Sequence, residues 1–151
     1  MNITRRDALR TTGALGTLVS LGLITTEQAM AAESRPAFAS KTLSGALEAI
    51  GGQPATSDQI EVIAPDIAEN GAVVPVATVS KLPNTTDVWF LVEKNPQPMA
   101  AHFRFPDGTT AEVKTRVKMG QTSDVIVVAK ADGKLYMAKK ETKVTLGGCG
   151  G

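Results

Sequence analysis

The sequence has 151 residues, of which 42% are hydrophobic and 4% aromatic, with a formal net charge of +1 and one cysteine. Such a chain suits one domain with an aliphatic core and short additional segments, and its balanced charge excludes a strongly basic nucleic-acid-binding protein. One cysteine excludes an intrachain disulfide and a zinc site built from several cysteines. Beyond the N-terminus, no apolar run is long enough to span a bilayer, so we expect no membrane anchor.

Residues 1–31 have the pattern of a twin-arginine export signal. The motif TRRDALR contains Arg5 and Arg6, a mildly apolar stretch covers residues 13–24, and a small-x-small cleavage site ends at Ala31. This order of basic, apolar and small residues predicts a signal peptide over 1–31 and a periplasmic mature protein. Because the twin-arginine pathway exports folded proteins, it favours export together with a bound partner.

Residues 32–146 are predicted to form an all-β, immunoglobulin-like antiparallel β-sandwich that begins with one short helix. Apolar side chains recur at helical spacing over residues 42–50, and two glycines follow. The period then changes to two, as in strands. Predicted strands cover residues 72–80, 88–93, 101–105, 112–119, 125–129 and 135–138, with a last one marked by Thr142, Val144 and Leu146. Strands at this spacing, separated by turn residues, are typical of a sandwich.

Local signals refine this expectation. Over residues 112–119 the sequence EVKTRVKM alternates valine, threonine and methionine with charged residues, which indicates a strand with one face buried. Pro75 indicates an edge or a bulge within strand 72–80. Pro106-Asp107-Gly108 predicts a hairpin turn, and Asp132-Gly133 predicts a second tight turn.

The last five residues carry the reactive chemistry, because Cys149 lies between Gly147, Gly148, Gly150 and Gly151. Glycine leaves the backbone dihedrals nearly free, so residues 147–151 are predicted to form a flexible arm. Fully extended, this arm would place Cys149 about 10 Å beyond residue 146. An ordinary cysteine thiol has a pKa of about 8.5, and the flanking glycines offer no group that activates it. We therefore expect a non-catalytic covalent carrier, without a cofactor, metal site or catalytic residue, whose thiol is activated by a partner enzyme.

Two segments of the chain resemble the SoxY family of sulfur carrier proteins. One is the terminal GGCGG, and the other is APDIAENGAVVPV at residues 64–76, where Asn70-Gly71 alone predicts a tight turn before a strand. The resemblance implies an immunoglobulin-like fold, a heterodimer with a SoxZ-like subunit, and attachment of thiosulfate-derived sulfur to Cys149. It further implies transient binding to SoxAX, which loads the cysteine oxidatively, to SoxB, which releases sulfate, and in some organisms to SoxCD.

Two other functions fit parts of the sequence. His102, with Cys149 and Met99 or Met119, supplies side chains that copper accepts, which would suit a periplasmic copper-binding β-sandwich. The alternation of its strand places His102 on the face opposite the neighbouring phenylalanines, as an outward surface residue. Alternatively, a single cysteine in an exported protein suits an interaction module joined by an intermolecular disulfide.

Overall fold

The computed structural model describes residues 36–145, and these form a β-sandwich of two sheets with a helical layer on one outer face. The predicted immunoglobulin-like antiparallel β-sandwich with a short helix is confirmed. Residues 36–39 are helical, and the elements that follow are α1 (Leu43–Ile50), β1 (Ala55–Thr56), β2 (Ile60–Ile63), β3 (Ile67–Ala68), β4 (Val74–Ser80), β5 (Thr85–Val92), β6 (Met99–Arg104), β7 (Glu112–Val117), β8 (Ser123–Ala131) and β9 (Lys134–Val144).

The strands divide into a larger and a smaller sheet. The larger sheet has the order β1-β9-β8-β5-β6, with β3 also paired to β9, and the smaller has the order β2-β4-β7. Strands β5, β8 and β9 pair antiparallel, whereas the two-residue strands β1 and β3 pair parallel to β9. Strand β9 therefore pairs with β1 near its N-terminal end and with β3 at its C-terminal end.

Helix α1 begins and ends where its sequence provides caps. The Thr42 hydroxyl accepts a hydrogen bond from the Gly45 N–H at 3.1 Å, which satisfies one of the free donors at the helix N-terminus. Gly51, at φ 130°, ends the helix and donates its N–H to the carbonyl of Glu48 at 3.2 Å. The helix buries Ala46 and Leu47, which pack with side chains from the outer face of the larger sheet.

The main core lies between the two sheets. Its centre is formed by alternate residues of β5, namely Val88, Phe90 and Val92, together with side chains from β8 and β4. The intervening residues of β5, Trp89 and Leu91, face the helical layer on the other side of the sheet. Both faces of β5 and β8 are thus buried, which explains why these strands read as nearly continuous apolar runs.

The predicted tight turn at Asp132-Gly133 is confirmed. Asp132 and Gly133 have φ values of 50° and 75°, and they connect β8 and β9 as a hairpin whose first register pair is Ala131 with Lys134. Two consecutive positive φ angles match the right-handed twist of the strands they join, and Asp-Gly is a preferred sequence for this turn.

Three details of the strand predictions differ from the structure. The predicted hairpin turn at residues 106–108 is wrong, because it leads from β6 in one sheet to β7 in the other. The two strands expected from residue 135 onward are one continuous strand, β9, up to Val144. Pro75 lies in the central strand β4, but β2 ends opposite Ala77, so β4 has a neighbour on only one side at the proline. The expected edge position therefore holds locally.

Within residues 36–145, no helix has the length and apolar character needed to cross a membrane.

Candidate functional site

The predicted attachment residue and its arm lie outside the described residues. Cys149, Gly147, Gly148, Gly150 and Gly151 all follow Thr145, the last residue that the structure describes. What the structure provides is the base from which these residues continue, at the end of β9. We call residues 142–145, together with the segment 64–71 that contacts them, the arm base.

Strand β3 holds the end of β9 from one side. Ile67 and Ala68 pair in parallel register with Lys143 and Val144. The Lys143 N–H donates to the carbonyl of Asp66 at 2.9 Å, and the Thr145 N–H donates to the carbonyl of Ala68 at 3.1 Å. Backbone hydrogen bonds therefore continue to the last described residue, so the chain has a fixed position where it leaves the sheet.

Side chains add further contacts between the same two segments. The Thr142 hydroxyl is fully buried and donates to the carbonyl of Pro65 at 2.9 Å. The Lys140 ammonium donates to the carbonyl of Ala64 at 2.7 Å and lies 3.0 Å from the carboxylate of Asp66. Residues 64–68 are therefore held by hydrogen bonds against the C-terminal end of β9.

Gly71 allows the closest approach in the arm base. Its carbonyl accepts the Met119 N–H at 2.7 Å, and a Cβ at this position would lie 2.3 Å from the Met119 carbonyl oxygen and 2.9 Å from Cγ1 of Val144. The Asn70 side chain accepts the Ala72 N–H at 3.0 Å, which confirms the predicted tight turn. The Asn70-Gly71 pair thus serves both the turn and the packing against the last strand.

The segment that carried the family resemblance therefore supports the end of β9, after which residues 146–151 follow. Residues 64–76 and the end of β9 are far apart in sequence, and neither periodicity nor motif content predicted that they meet. The cue available in the sequence was the pairing of Asn70 with Gly71, which predicted a turn but not its neighbour.

His102 is not the outward surface residue that the alternation predicted. Its ring stacks on Trp89 with centroids 4.8 Å apart and planes at 10°, and its side chain is 13% exposed. Nε2 lies 2.8 Å from Oδ1 of Asp87. The prediction was wrong because the face of β6 opposite Phe103 belongs to the second buried layer, under the helical segments, and not to solvent.

Of the residues suggested for copper, Cys149 lies outside the described residues, and Met119 lies in a different layer from His102 and Met99. Met119 is buried in the core between the sheets, whereas Met99 and Trp89, on which His102 stacks, belong to the layer beneath the helix. Over residues 36–145, no group of three or more His, Cys, Asp or Glu side chains is placed to hold a metal ion.

Asp87 is the charged residue that contacts His102, Arg104 and Thr86. Burial raises the pKa of Asp87, but hydrogen bonds from His102 and Thr86, with the positive charges of His102 and Arg104, outweigh it and hold the pKa below its ordinary value. A carboxylate with a lowered pKa stabilises the folded state above its unfolded pKa. This contribution is lost as the pH falls through the folded value.

We expect Asp87→Asn to lower the stability of the domain at pH 7 and to make its stability less dependent on pH below about pH 4. The difference in unfolding temperature between wild type and variant should be largest near neutrality and should shrink as the wild-type carboxylate becomes protonated. Thermal unfolding from pH 7 to pH 2, followed by circular dichroism, measures it. A difference that stays constant over this range would contradict the assignment.

Comparison with known protein families covers nearly all of the described domain and also Cys149. The family profile described as "Sulfur oxidation protein SoxY" matches residues 47–149, which is most of the chain and reaches its only cysteine. The chain belongs to the SoxY family. Among curated protein sequences, none is significantly similar to it.

Solved structures agree with this assignment. The SoxY chain is similar to the sulfur carrier protein SoxY from Chlorobium limicola f thiosulfatophilum, at 40% identity and a TM-score of 0.58, over 64% of this chain and 88% of that one. It is also similar to a superoxide reductase (neelaredoxin) from Ignicoccus hospitalis, at 16% identity and a TM-score of 0.53, over 61% of this chain and 95% of that one. The second likeness concerns the fold alone.

Proposed function

We propose that this SoxY protein carries thiosulfate-derived sulfur intermediates covalently on Cys149 and presents them to the enzymes of the Sox pathway. The observation that carries the proposal is that the family match ends at residue 149, the single cysteine of the chain. With one thiol available, any cysteine-linked cargo has one possible attachment point. The four flanking glycines support access, because no side chain next to the cysteine restricts its approach to a cleft.

The chemistry assigned to Cys149 needs a thiolate and an external electron acceptor. In loading, the thiolate forms a sulfur–sulfur bond with the outer sulfur of thiosulfate, giving Cys–S–S–SO₃⁻, and two electrons pass to the haem enzyme SoxAX. In hydrolysis by SoxB, water attacks the terminal sulfur, sulfate and two protons leave, and Cys–S–S⁻ remains. SoxY itself supplies the attachment atom and no catalytic group, cofactor or metal ligand.

The arm base explains how a non-catalytic carrier would present its cargo. Hydrogen bonds to the carbonyls of Asp66 and Ala68 fix β9 up to Thr145. Four further residues lead to Cys149, which gives the sulfur a reach of about 13 Å when the chain is extended. Ordering glycines costs conformational entropy, so an enzyme that draws the arm into its cleft binds it weakly and releases it. Such release suits a carrier that visits SoxAX, SoxB and SoxCD in turn.

The cellular setting proposed for this cycle follows from residues 1–31. Their twin-arginine pattern supports export to the periplasm. Export in a folded state would allow the chain to leave the cytoplasm already bound to a SoxZ-like subunit, which is the heterodimer partner that we propose. Thiosulfate and its sulfur oxyanion relatives are the expected cargo.

Mature wild-type protein incubated with thiosulfate and the loading enzyme is expected to gain the mass of one S₂O₃ group, because Cys149 is the only thiol. Cys149→Ser should gain none. Intact-mass spectrometry measures the adduct directly, and wild-type protein alkylated at its thiol is the matched control, since it keeps every other residue. An equal mass gain in Cys149→Ser would exclude this attachment site.

A further inference from the structure

The turn between β3 and β4 contains the single asparagine–glycine pair of the sequence, Asn70-Gly71. Asn70 is exposed and Gly71 is buried. When glycine follows asparagine, the main-chain nitrogen of the glycine can attack the side-chain carbon Cγ of the asparagine, since glycine has no Cβ to obstruct the approach. The turn therefore holds an electrophile and a nucleophile in adjacent residues, and the hydrogen bonds around them decide whether they react.

The side-chain carbonyl of Asn70 is polarised by a hydrogen bond. Its Oδ1 accepts the Ala72 N–H at 3.0 Å. A donor at this distance also stabilises the negative charge that develops on the oxygen when a nucleophile adds to Cγ. The main-chain carbonyl of Asn70 accepts the Val73 N–H at 3.3 Å, so hydrogen bonds to the main chain and to the side chain both hold Asn70 in the turn.

The two nitrogens that would exchange their bonds to Cγ are not held by hydrogen bonds. Among residues 36–145, neither the Gly71 N–H nor Nδ2 of Asn70 donates to an acceptor. Within this part of the chain, no hydrogen bond therefore has to break before the Gly71 nitrogen attacks or before Nδ2 leaves.

The other two asparagines of the described chain are protected from the same attack. Nδ2 of Asn84 donates to Oδ1 of Asp132 at 2.8 Å, and Nδ2 of Asn95 donates to the Lys118 carbonyl at 2.7 Å. A β-branched threonine follows Asn84, and a proline, whose nitrogen carries no hydrogen, follows Asn95. Asn70 is thus the asparagine of residues 36–145 at which sequence and hydrogen bonding both permit intramolecular attack.

We propose that Asn70 is a modification site, at which the folded protein deamidates spontaneously through a cyclic imide. The Gly71 nitrogen forms a bond to Cγ of Asn70, the bond from Cγ to Nδ2 breaks, and ammonia leaves with the proton of the Gly71 N–H. Water then opens the imide at one of its two carbonyls, which leaves either aspartate or isoaspartate at position 70. The net reaction consumes one water, releases one ammonia and needs no oxidant, reductant or enzyme.

The two products act differently on the arm base. Aspartate keeps the length of the main chain and an oxygen that accepts the Ala72 N–H, whereas isoaspartate inserts one methylene into the main chain directly before Gly71. The backbone there has no room to shift, because a single carbon added at Gly71 would lie 2.3 Å from the Met119 carbonyl oxygen and 2.9 Å from Cγ1 of Val144. Isoaspartate should therefore loosen the support of the last residues of β9, which gives the arm base a limited chemical lifetime.

The test follows mature wild-type protein by peptide mapping with mass spectrometry during incubation in mildly acidic and mildly alkaline buffer. The peptide that contains Asn70 is expected to gain the mass difference between an amide and an acid, faster at the higher pH because the attacking nitrogen must lose a proton. Peptides with Asn84 and Asn95 are internal controls and should keep their mass. The folded protein should react within about tenfold of the rate measured in urea, since misplaced reacting atoms would cost far more.

The effect on the arm base is measured on the isoaspartate form, separated by ion-exchange chromatography. It should unfold at a lower temperature than wild type and exchange the Lys143 and Thr145 amide hydrogens faster. Asn70→Asp is the matched control, because it has the same added charge without the extra methylene, and it should behave as wild type in both measurements.

Deamidation at Asn70 in urea but not in the folded protein would overturn the modification site, and so would equal deamidation at Asn84 or Asn95. An isoaspartate form as stable as Asn70→Asp, with unchanged exchange at Lys143 and Thr145, would refute the effect on the arm base. None of these outcomes bears on the loading of Cys149, which is tested separately by intact mass.

Discussion

Phe90→Ala is expected to lower the free energy of unfolding by about 3–5 kcal/mol, the usual cost of truncating a fully buried phenylalanine. Phe90 has no exposed surface and lies at the centre of the core between the two sheets. Its ring meets Phe103 edge to face, with centroids 6.1 Å apart. Because β5 is paired on both sides, the surrounding backbone cannot move inward to fill the cavity, which places the cost in the upper part of the range.

Urea denaturation followed by circular dichroism measures this loss, read as a shift of the midpoint at constant slope. Phe103→Ala is the matched control, because it removes the other ring of the pair from a partly buried position on the edge strand β6. The control should cost clearly less than Phe90→Ala. Equal losses in the two variants would show that burial between the sheets does not dominate the stability of this domain.

Gly71→Ala is expected to destabilise the domain by about 2–3 kcal/mol, as forced insertion of a methyl group into a closed site does. The added carbon would lie 2.3 Å from the Met119 carbonyl oxygen, so backbone must move before alanine fits. That movement would disturb the hydrogen bond from the Met119 N–H to Gly71 and the contact with Val144. The loss is steric and not conformational, because Gly71 is not among the described glycines that have a positive φ.

Gly120→Ala is the control for this prediction. A Cβ at Gly120 would meet only Oδ1 of Asn95, at 4.0 Å, so this substitution adds the same methyl group without a clash. Its stability should stay within about 0.5 kcal/mol of wild type, as is usual for surface substitutions. Thermal unfolding of both variants gives the comparison, and a Gly71→Ala protein as stable as Gly120→Ala would refute the close approach at the arm base.

The parts of the fold that the sequence predicted are those specified by local patterns. Strands β5 and β8 were found because both of their faces are buried, and β7 was found because Val113 and Val117 alternate with charged side chains. The turn at Asp132-Gly133 followed from the need for positive φ. In each case, the residues that determine the strand or turn lie within that strand or turn.

The parts that were missed depend on residues far apart in the chain. Strands β1 and β3 have two residues each and exist through parallel pairing with β9, so no local period marks them. The turn at Pro106 has hairpin chemistry, but the strands on either side join different sheets. A strong turn signal specifies a reversal of the chain, not the partner of the strand that follows.

In the candidate site, too, local features were predicted from the sequence and contacts between distant residues were not. Cys149 was proposed from composition, because a single cysteine among glycines leaves few alternatives, and it stays a prediction. The support given by residues 64–71 could not be predicted in this way, since it depends on hydrogen bonds to carbonyls of residues more than seventy positions away. His102 was misplaced because one buried layer was assumed, whereas the helical segments add a second.

The parallel pairing of β3 with the end of β9 also bears on mechanical load. When an enzyme pulls the arm outward along the strand axis, the hydrogen bonds at Lys143 and Thr145 lie across the direction of pulling. They are then strained together in shear, instead of breaking one after another as in the unzipping of a hairpin. The domain should therefore resist extraction of its last strand when tension is applied to the residues that follow it.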